Sequence, residues 1–146
     1  MSVVHYEVTV VTGVLYNAGT SGKITVTLFG ERGDSGPRLL RNPTNKSSIP
    51  PFSKGATDVF MLETVSLGEL RRVQVNLEPE SLTQGWYLEH IVVKENDLHA
   101  TFVFPANRWI NIRDGDRRLQ VDLKATDFLN YNRLQIKKMV RIRKEL

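Results

Sequence analysis

Three histidines and two closely spaced acid pairs are the side chains that could do chemistry in this chain, which has no cysteine. His5, His90 and His99 each fall in a segment that alternates like a strand. None has a second histidine one helical turn away, so no facial pair of imidazoles is offered to a metal. A nucleophile elbow of the G-x-S-x-G type, a phosphate-cradling G-x-x-x-x-G-K-[ST] loop and an H-E-x-x-H helix are all missing from the sequence. Asp114 and Asp116 flank Gly115 and read as a turn, and Glu78 and Glu80 bracket Pro79 and read as a solvated loop. Calcium takes about six to eight oxygen ligands, and neither pair supplies such a set. The missing cysteines exclude disulfides, cysteine-ligated zinc, iron–sulfur clusters and thiol catalysis, and favour a reducing compartment. The expectation is a chain with no catalytic residue and no metal site.

The stretch that organises the elements around these residues is Gly13 to Gly30. It reads as a loop followed by a strand in which Ile24, Val26 and Leu28 share one face. Gly13, Gly19 and Gly22 are expected to let the loop turn through positive φ. Leu15 and Tyr16 stand where turn chemistry expects small or polar residues. Two readings stay open: they form an apolar contact tip, or they fold back and cap the core.

His5–Thr12 alternates and is rich in β-branched residues, so it reads as the first strand. Further strands are expected at Lys23–Phe29, Arg38–Arg41, Ala56–Glu63, Leu70–Leu77, Trp86–Val93, Leu98–Phe104 and Leu119–Leu123. Glu31–Pro37 is turn chemistry throughout, and its Arg32-Gly33-Asp34 is read as part of that turn. Asn42–Lys54, with three prolines, reads as a loop ending near Phe52. About eight short strands with turns between them argue for an antiparallel β-sandwich, with a barrel as the alternative.

The chain of 146 residues suits one domain with a proper core. Its charge is unevenly placed. Residues 1–125 hold 14 basic and 14 acidic residues, whereas residues 126–146 hold six basic residues against Asp127 and Glu145. The +4 excess therefore sits in the tail, and the body offers no basic excess to track nucleic acid. Thr126 can cap a helix that carries Leu129, Ile136, Met139 and Val140 near one face and basic residues elsewhere. Such a segment lies on an anionic membrane or serves as an exit helix. The expected division is residues 1–125 as the sandwich and 126–146 as a basic helix or linker. No apolar run reaches the roughly 20 residues that span a bilayer, and no secretory leader is expected at the N-terminus.

An ordered series of short pieces now carries a resemblance. It runs from Tyr6-Glu7-Val8-Thr9-Val10 through Ala18-Gly19-Thr20, Leu28-Phe29-Gly30, Phe52-Ser53-Lys54-Gly55-Ala56-Thr57-Asp58-Val59-Phe60, Leu67-Gly68-Glu69-Leu70 and Trp86-Tyr87-Leu88 to Phe104-Pro105-Ala106-Asn107-Arg108-Trp109. Over roughly residues 5–110 it resembles the PLAT (LH2) domain shared by polycystins, animal lipoxygenases and clostridial alpha-toxin. The resemblance implies an eight-stranded sandwich of two four-stranded sheets and a targeting role at a membrane or a protein partner, often with calcium. It maps contact loops onto Leu15 and Tyr16 and onto the loop before Trp86, which reads equally as a core residue at a strand start; Lys54 is a basic residue that would assist. Trp109 is assigned to structure.

The departures bear on calcium. Where calcium-binding members of the family carry acids or amides, this chain has Ser21, Pro50, Pro51 and Ser53. Without those carboxylates a tight calcium site is not expected, and no cofactor is expected. The resemblance thus implies a non-catalytic module, cytoplasmic and peripheral to the membrane, that docks a larger parent protein on lipid. The alternatives are a protein-interaction module and the N-terminal regulatory fragment of a lipoxygenase-like enzyme.

Overall fold

Alternation of apolar and polar residues builds every long strand of this protein. A strand sends successive side chains to opposite faces, so Tyr6, Val8 and Val10 meet Ile24, Val26 and Leu28 across a dry interior. The computed structural model describes residues 3–81, 83–97, 100–112, 119–127, 132–133, 135–139 and 141. The expectations at Leu98, His99, Asp114–Asp116, Leu129, Val140 and Arg143–Leu146 fall outside the described residues.

Nine strands are described: β1 (Val3–Thr12), β2 (Lys23–Gly30), β3 (Gly33–Asp34), β4 (Arg38–Leu39), β5 (Thr57–Val65), β6 (Leu70–Glu78), β7 (Trp86–Glu95), β8 (Ala100–Ile110) and β9 (Gln120–Lys124). One sheet runs β5-β1-β7-β8; the other runs β3-β2-β6-β9, with β4 also paired to β2. All the pairings are antiparallel. The sandwich of two sheets is as expected, with a small difference in strand count. β3 and β4 are two residues each, and they pair with Phe29–Gly30 and with Thr25–Val26 of the same edge of β2. They act as one edge strand broken by Ser35, Gly36 and Pro37. The Ser35 hydroxyl oxygen accepts the Leu28 amide at 2.9 Å in place of a ladder bond. The turn expected over Glu31–Pro37 is therefore corrected to a tight hairpin plus a bulged edge.

Bulges reset the two-residue period at set places. In β7 the buried set passes from Trp86 and Leu88 to Ile91 and Val93, a change of phase where the register with β8 shifts between Leu88 and His90. Asn107, opposite this shift, has φ 49°. The phase change lets one strand keep both halves of its apolar set inside. It also extends β8 to Ile110, past the Phe104 end read from the sequence.

Past β9, the Thr126 amide donates to the Val103 carbonyl at 2.7 Å, tying the chain back to β8. Residues 132–133, 135–139 and 141 are helical. Ile136 and Met139 on this segment are exposed at 61% and 58%. Among the described residues no helix is long and apolar enough to cross a membrane.

Candidate functional site

The candidate site lies at the end of the sandwich where β1 stops, β2 starts, β5 starts and β7 starts. Three loops converge there, over residues 13–22, 40–56 and 79–85. Backbone hydrogen bonds knit the first two to each other and to Tyr87 of β7. The Gly13 amide donates to Tyr87 O at 2.9 Å, the Gly55 amide to Gly13 O at 2.9 Å, the Tyr87 amide to Ala18 O at 2.9 Å and the Thr20 amide to Phe52 O at 2.9 Å. Buried or not, each of these groups has a partner, which holds the loops in one arrangement.

The tip of the first loop is a four-residue turn. The Ala18 amide donates to Leu15 O at 3.0 Å, and Asn17 takes φ 58°, a left-handed conformation that asparagine tolerates. This corrects the expectation that Gly13, Gly19 and Gly22 turn the loop, since none of them is among the positive-φ residues. They are needed for clearance instead. A Cβ at Gly13 would lie 2.5 Å from the Tyr87 ring, one at Gly19 2.8 Å from the Lys54 amide nitrogen and one at Gly22 2.5 Å from Glu78 O.

The turn presents Leu15 at 47% exposure and Tyr16 at 83%, with Val14 beside them at 72%. Neither Leu15 nor Tyr16 folds back as a core cap. Val14, which sequence reading passed over, belongs to the same patch and sits 3.5 Å from the position a Cβ on Gly55 would take. Lys54 is exposed on the adjoining loop.

Trp86 is corrected. It is 0% exposed, and its Nε1–H donates to Thr12 Oγ1 at 3.0 Å. Phe52 meets it edge-on at 5.6 Å and stacks on Phe60 at 5.6 Å. A ring enclosed this way has no face to offer a membrane or a partner. The reason is position: Trp86 opens β7 on the inward phase, so the ladder carries it into the core. Trp109 packs edge-on against Tyr87 at 5.3 Å, in keeping with a structural part.

Phe52 itself sits at φ 63°, a costly conformation for a large side chain. Its amide donates to Asp58 Oδ2 at 2.8 Å. Asp58 is buried, and burial pushes its carboxyl above the usual range while the Phe52 amide pulls the other way. Of the histidines, His5 pairs with Glu63 at 2.9 Å on the outer face, and His90 lies 3.4 Å from Glu89. Burial pushes His90 below its ordinary value, with Glu89 opposing. No three histidine, aspartate or glutamate side chains gather among the described residues in a way that could hold a metal ion.

A family model described as the PLAT/LH2 domain matches residues 6–120. The chain belongs to the PLAT/LH2 family. Lipoxygenase homology domain-containing protein 1 of Homo sapiens is 36% identical to this PLAT domain over 118 residues, 81% of the chain and 6% of that protein. Polycystin-1-like protein 3 of Homo sapiens is 31% identical over 116 residues, 79% of the chain and 6% of that protein. The PLAT domain thus spans a small fraction of the curated relatives it matches. Among solved structures, a coral 8R-lipoxygenase described by calcium activation through a C2-like domain superposes with a TM-score of 0.69 at 18% identity, over 84% of this chain and 17% of that one. The alpha-toxin of Clostridium absonum superposes with a TM-score of 0.58 at 18% identity, over 84% of this chain and 31% of that one. At that identity the two structures speak for the sandwich alone.

Proposed function

We propose that this PLAT domain is a non-catalytic docking module that seats its loop end on a lipid surface and so localises a larger parent protein as a peripheral membrane protein of the cytoplasm. The observation that carries this reading is the turn of Leu15 and Tyr16. Two bulky apolar side chains stand out in water on a turn whose backbone is pinned on both flanks to Tyr87 and Gly55. A pinned turn loses little further entropy when its tip is covered. Burying both side chains contributes on the order of 2–4 kcal/mol at about 25 cal/mol per Å². That is marginal alone, as it is for single lipid anchors, so a second attraction is required. Lys54, exposed on the neighbouring loop, is placed to add charge attraction.

Sedimentation with liposomes tests it. The double variant Leu15→Ser, Tyr16→Ser is expected to lose at least tenfold in vesicle affinity, because about 1.4 kcal/mol is a factor of ten. Unchanged binding removes the turn from the account.

A second reading rests on a different place. Ile136 and Met139 are exposed on the helical segment after the sandwich. They suit cover by a protein, either a partner or another domain of the parent. Retention of a defined protein in lipid-free extract, abolished by Ile136→Ser with Met139→Ser, supports that reading. Retention unaffected by the substitutions counts against it.

A further inference from the structure

A cleft of about 880 Å³ opens on the flank of the same end, between the start of β2, Leu39 of β4 and the 40–52 loop. Phe52, Leu40 and Asp58 line its buried part, and Ile49 with Pro50 and Pro51 make an apolar wall. Three cations line it from two segments: Lys23 at the head of β2, and Arg41 and Lys46 in the long loop after β4. All three are exposed, and among the described residues none makes an ion pair. The body of the chain is neutral, 14 basic against 14 acidic residues over 1–125, so this is a local concentration of charge and no reflection of the whole. The acid on the lining is Asp58, and it is buried and hydrogen-bonded to the Phe52 amide.

The wall that carries Lys46 is built rather than draped. The Thr44 amide donates to Val59 O at 2.7 Å. The Asn45 side chain spans two groups of β5, donating to Thr57 O at 2.8 Å and accepting the Val59 amide at 2.8 Å. On the opposite side the Leu40 amide donates to Ile24 O at 2.9 Å. The cleft walls are therefore held by hydrogen bonds of the chain's own backbone and the Asn45 side chain. Its inner end is Phe52, whose carbonyl accepts from Thr20 of the exposed turn's own loop, so cleft and apolar tip are parts of one loop cluster.

We infer that this cleft receives the phosphate-bearing headgroup of an anionic lipid, with Lys23, Arg41 and Lys46 on the phosphate oxygens while Leu15 and Tyr16 enter the acyl boundary. The inference rests on the membrane reading above and gives it the second attraction it requires. Ammonium and guanidinium groups form charge-assisted hydrogen bonds to phosphate. The breadth of the cleft, with the polar residues Ser21 and Asn42 also on its lining, suits a polyol phosphate rather than a bare phosphodiester.

The test uses three vesicles: phosphatidylcholine alone, phosphatidylcholine with phosphatidylserine, and phosphatidylcholine with a phosphatidylinositol phosphate at the same total lipid charge. A soluble inositol phosphate, titrated alone, is the fourth probe. The expected result is clear preference for the phosphoinositide vesicles. In the triple variant Lys23→Gln, Arg41→Gln, Lys46→Gln that preference disappears, at roughly fivefold per cation and about a hundredfold in all. The side chains are exposed, and an unchanged Tm confirms that the variant is folded. The Leu15→Ser, Tyr16→Ser variant is expected to lose vesicles yet keep the soluble inositol phosphate, which separates tip from cleft. No preference over phosphatidylserine, or a preference that survives the triple variant, overturns the cleft and leaves the tip standing. Saturable binding of the soluble probe with no binding to any vesicle overturns the lipid source and the membrane reading together.

Discussion

The two ends of this sandwich solve the same problem in opposite ways. At one end the connections after β2 and β5 are short, and their large apolar residues point in. Leu67 and Leu70 are buried, and the Leu67 amide donates to the buried Tyr6 hydroxyl at 2.9 Å. The exposed side chains of the connection after β2, Glu31 and Arg32, are charged, and Glu31 Oε1 accepts the Glu69 amide at 3.0 Å. The exposed apolar residues there, Val3 and Val65, lie on the paired strand ends and not on a loop tip. At the other end the connections are long, and Val14, Leu15, Tyr16 and Ile49 are left in water. Backbone hydrogen bonds brace the described connections at both ends, Glu31 N to Glu69 O and Arg32 N to Leu67 O at one, Gly55 N to Gly13 O and Thr20 N to Phe52 O at the other. The difference is therefore no accident of loose loops. Scattered exposed apolar residues need no explanation, and it is the gathering of several on one pinned end that motivates the docking proposal.

The comparison is sharpest between two aromatics of the same end, Trp86 and Tyr16. Trp86→Ala should cost about 3–5 kcal/mol, the usual loss for a fully buried large ring. Trp86→Phe keeps most of the packing but deprives Thr12 Oγ1 of its donor, for about 1 kcal/mol. Tyr16→Ser should move stability by less than about 0.5 kcal/mol, as surface changes do. Vesicle affinity should show the reverse order, with Tyr16 large and Trp86→Phe unmoved. Urea denaturation and liposome sedimentation on the same three proteins check it. Loss of vesicle binding in folded Trp86→Phe would break the division between the core ring and the exposed ring.

Much of this was legible in the residues, and what was not has physical causes. Tyr6-Glu7-Val8-Thr9-Val10 declares its strand because period-two alternation is the direct consequence of the pleat. The paired stubs β3 and β4 do not, since two residues hold no period. Leu15 and Tyr16 stood out because their type conflicts with turn chemistry. Val14 did not, because a single valine beside a glycine reads as the end of a strand. Trp86 stayed ambiguous because only its register on β7 decides which way it faces. The cleft was invisible: Arg41 and Lys46 share one loop, but only the pairing of β4 with β2 brings Lys23 to the same rim.

Asp58 joins the loop end to the core, and its effect is smaller. Asp58→Ala leaves the buried Phe52 amide without an acceptor, at a cost of about 1–3 kcal/mol. Asp58→Asn keeps an acceptor and removes the charge. Because burial raises the carboxyl in the folded state, that state holds its proton to higher pH than the unfolded chain does. The contribution is most favourable at low pH and is lost as pH rises from the ordinary carboxylate value through the raised one. The Asn variant should therefore gain on the native protein as pH increases across that window. Denaturant midpoints measured from pH 3 to pH 7 check the sign. An Asn variant that instead loses ground to the native protein as pH rises would show that the folded state holds this carboxylate charged.

The smallest expected effect is that of calcium, and it divides the two ends by mechanism. The positions judged short of ligands, Ser21, Pro50, Pro51 and Ser53, all belong to the loop cluster. The Ser53 hydroxyl donates to Pro50 O at 2.6 Å and is committed locally. A hard cation draws its affinity mainly from converging carboxylates. The acid on the cleft lining is Asp58, buried and engaged by the Phe52 amide, and Glu78 and Glu80 at the same end are exposed and not part of that lining. The cations Lys23, Arg41 and Lys46 repel a second cation from the same flank. Calcium is therefore expected to leave both Tm and vesicle affinity unmoved. The measurement has ample sensitivity: a micromolar site at about a hundredfold excess of ion would add about 2.7 kcal/mol, which shifts Tm by several degrees in a chain this size. A shift of that size would mean the loop end contacts lipid through a metal, and the basic cleft would then have to be read as something else.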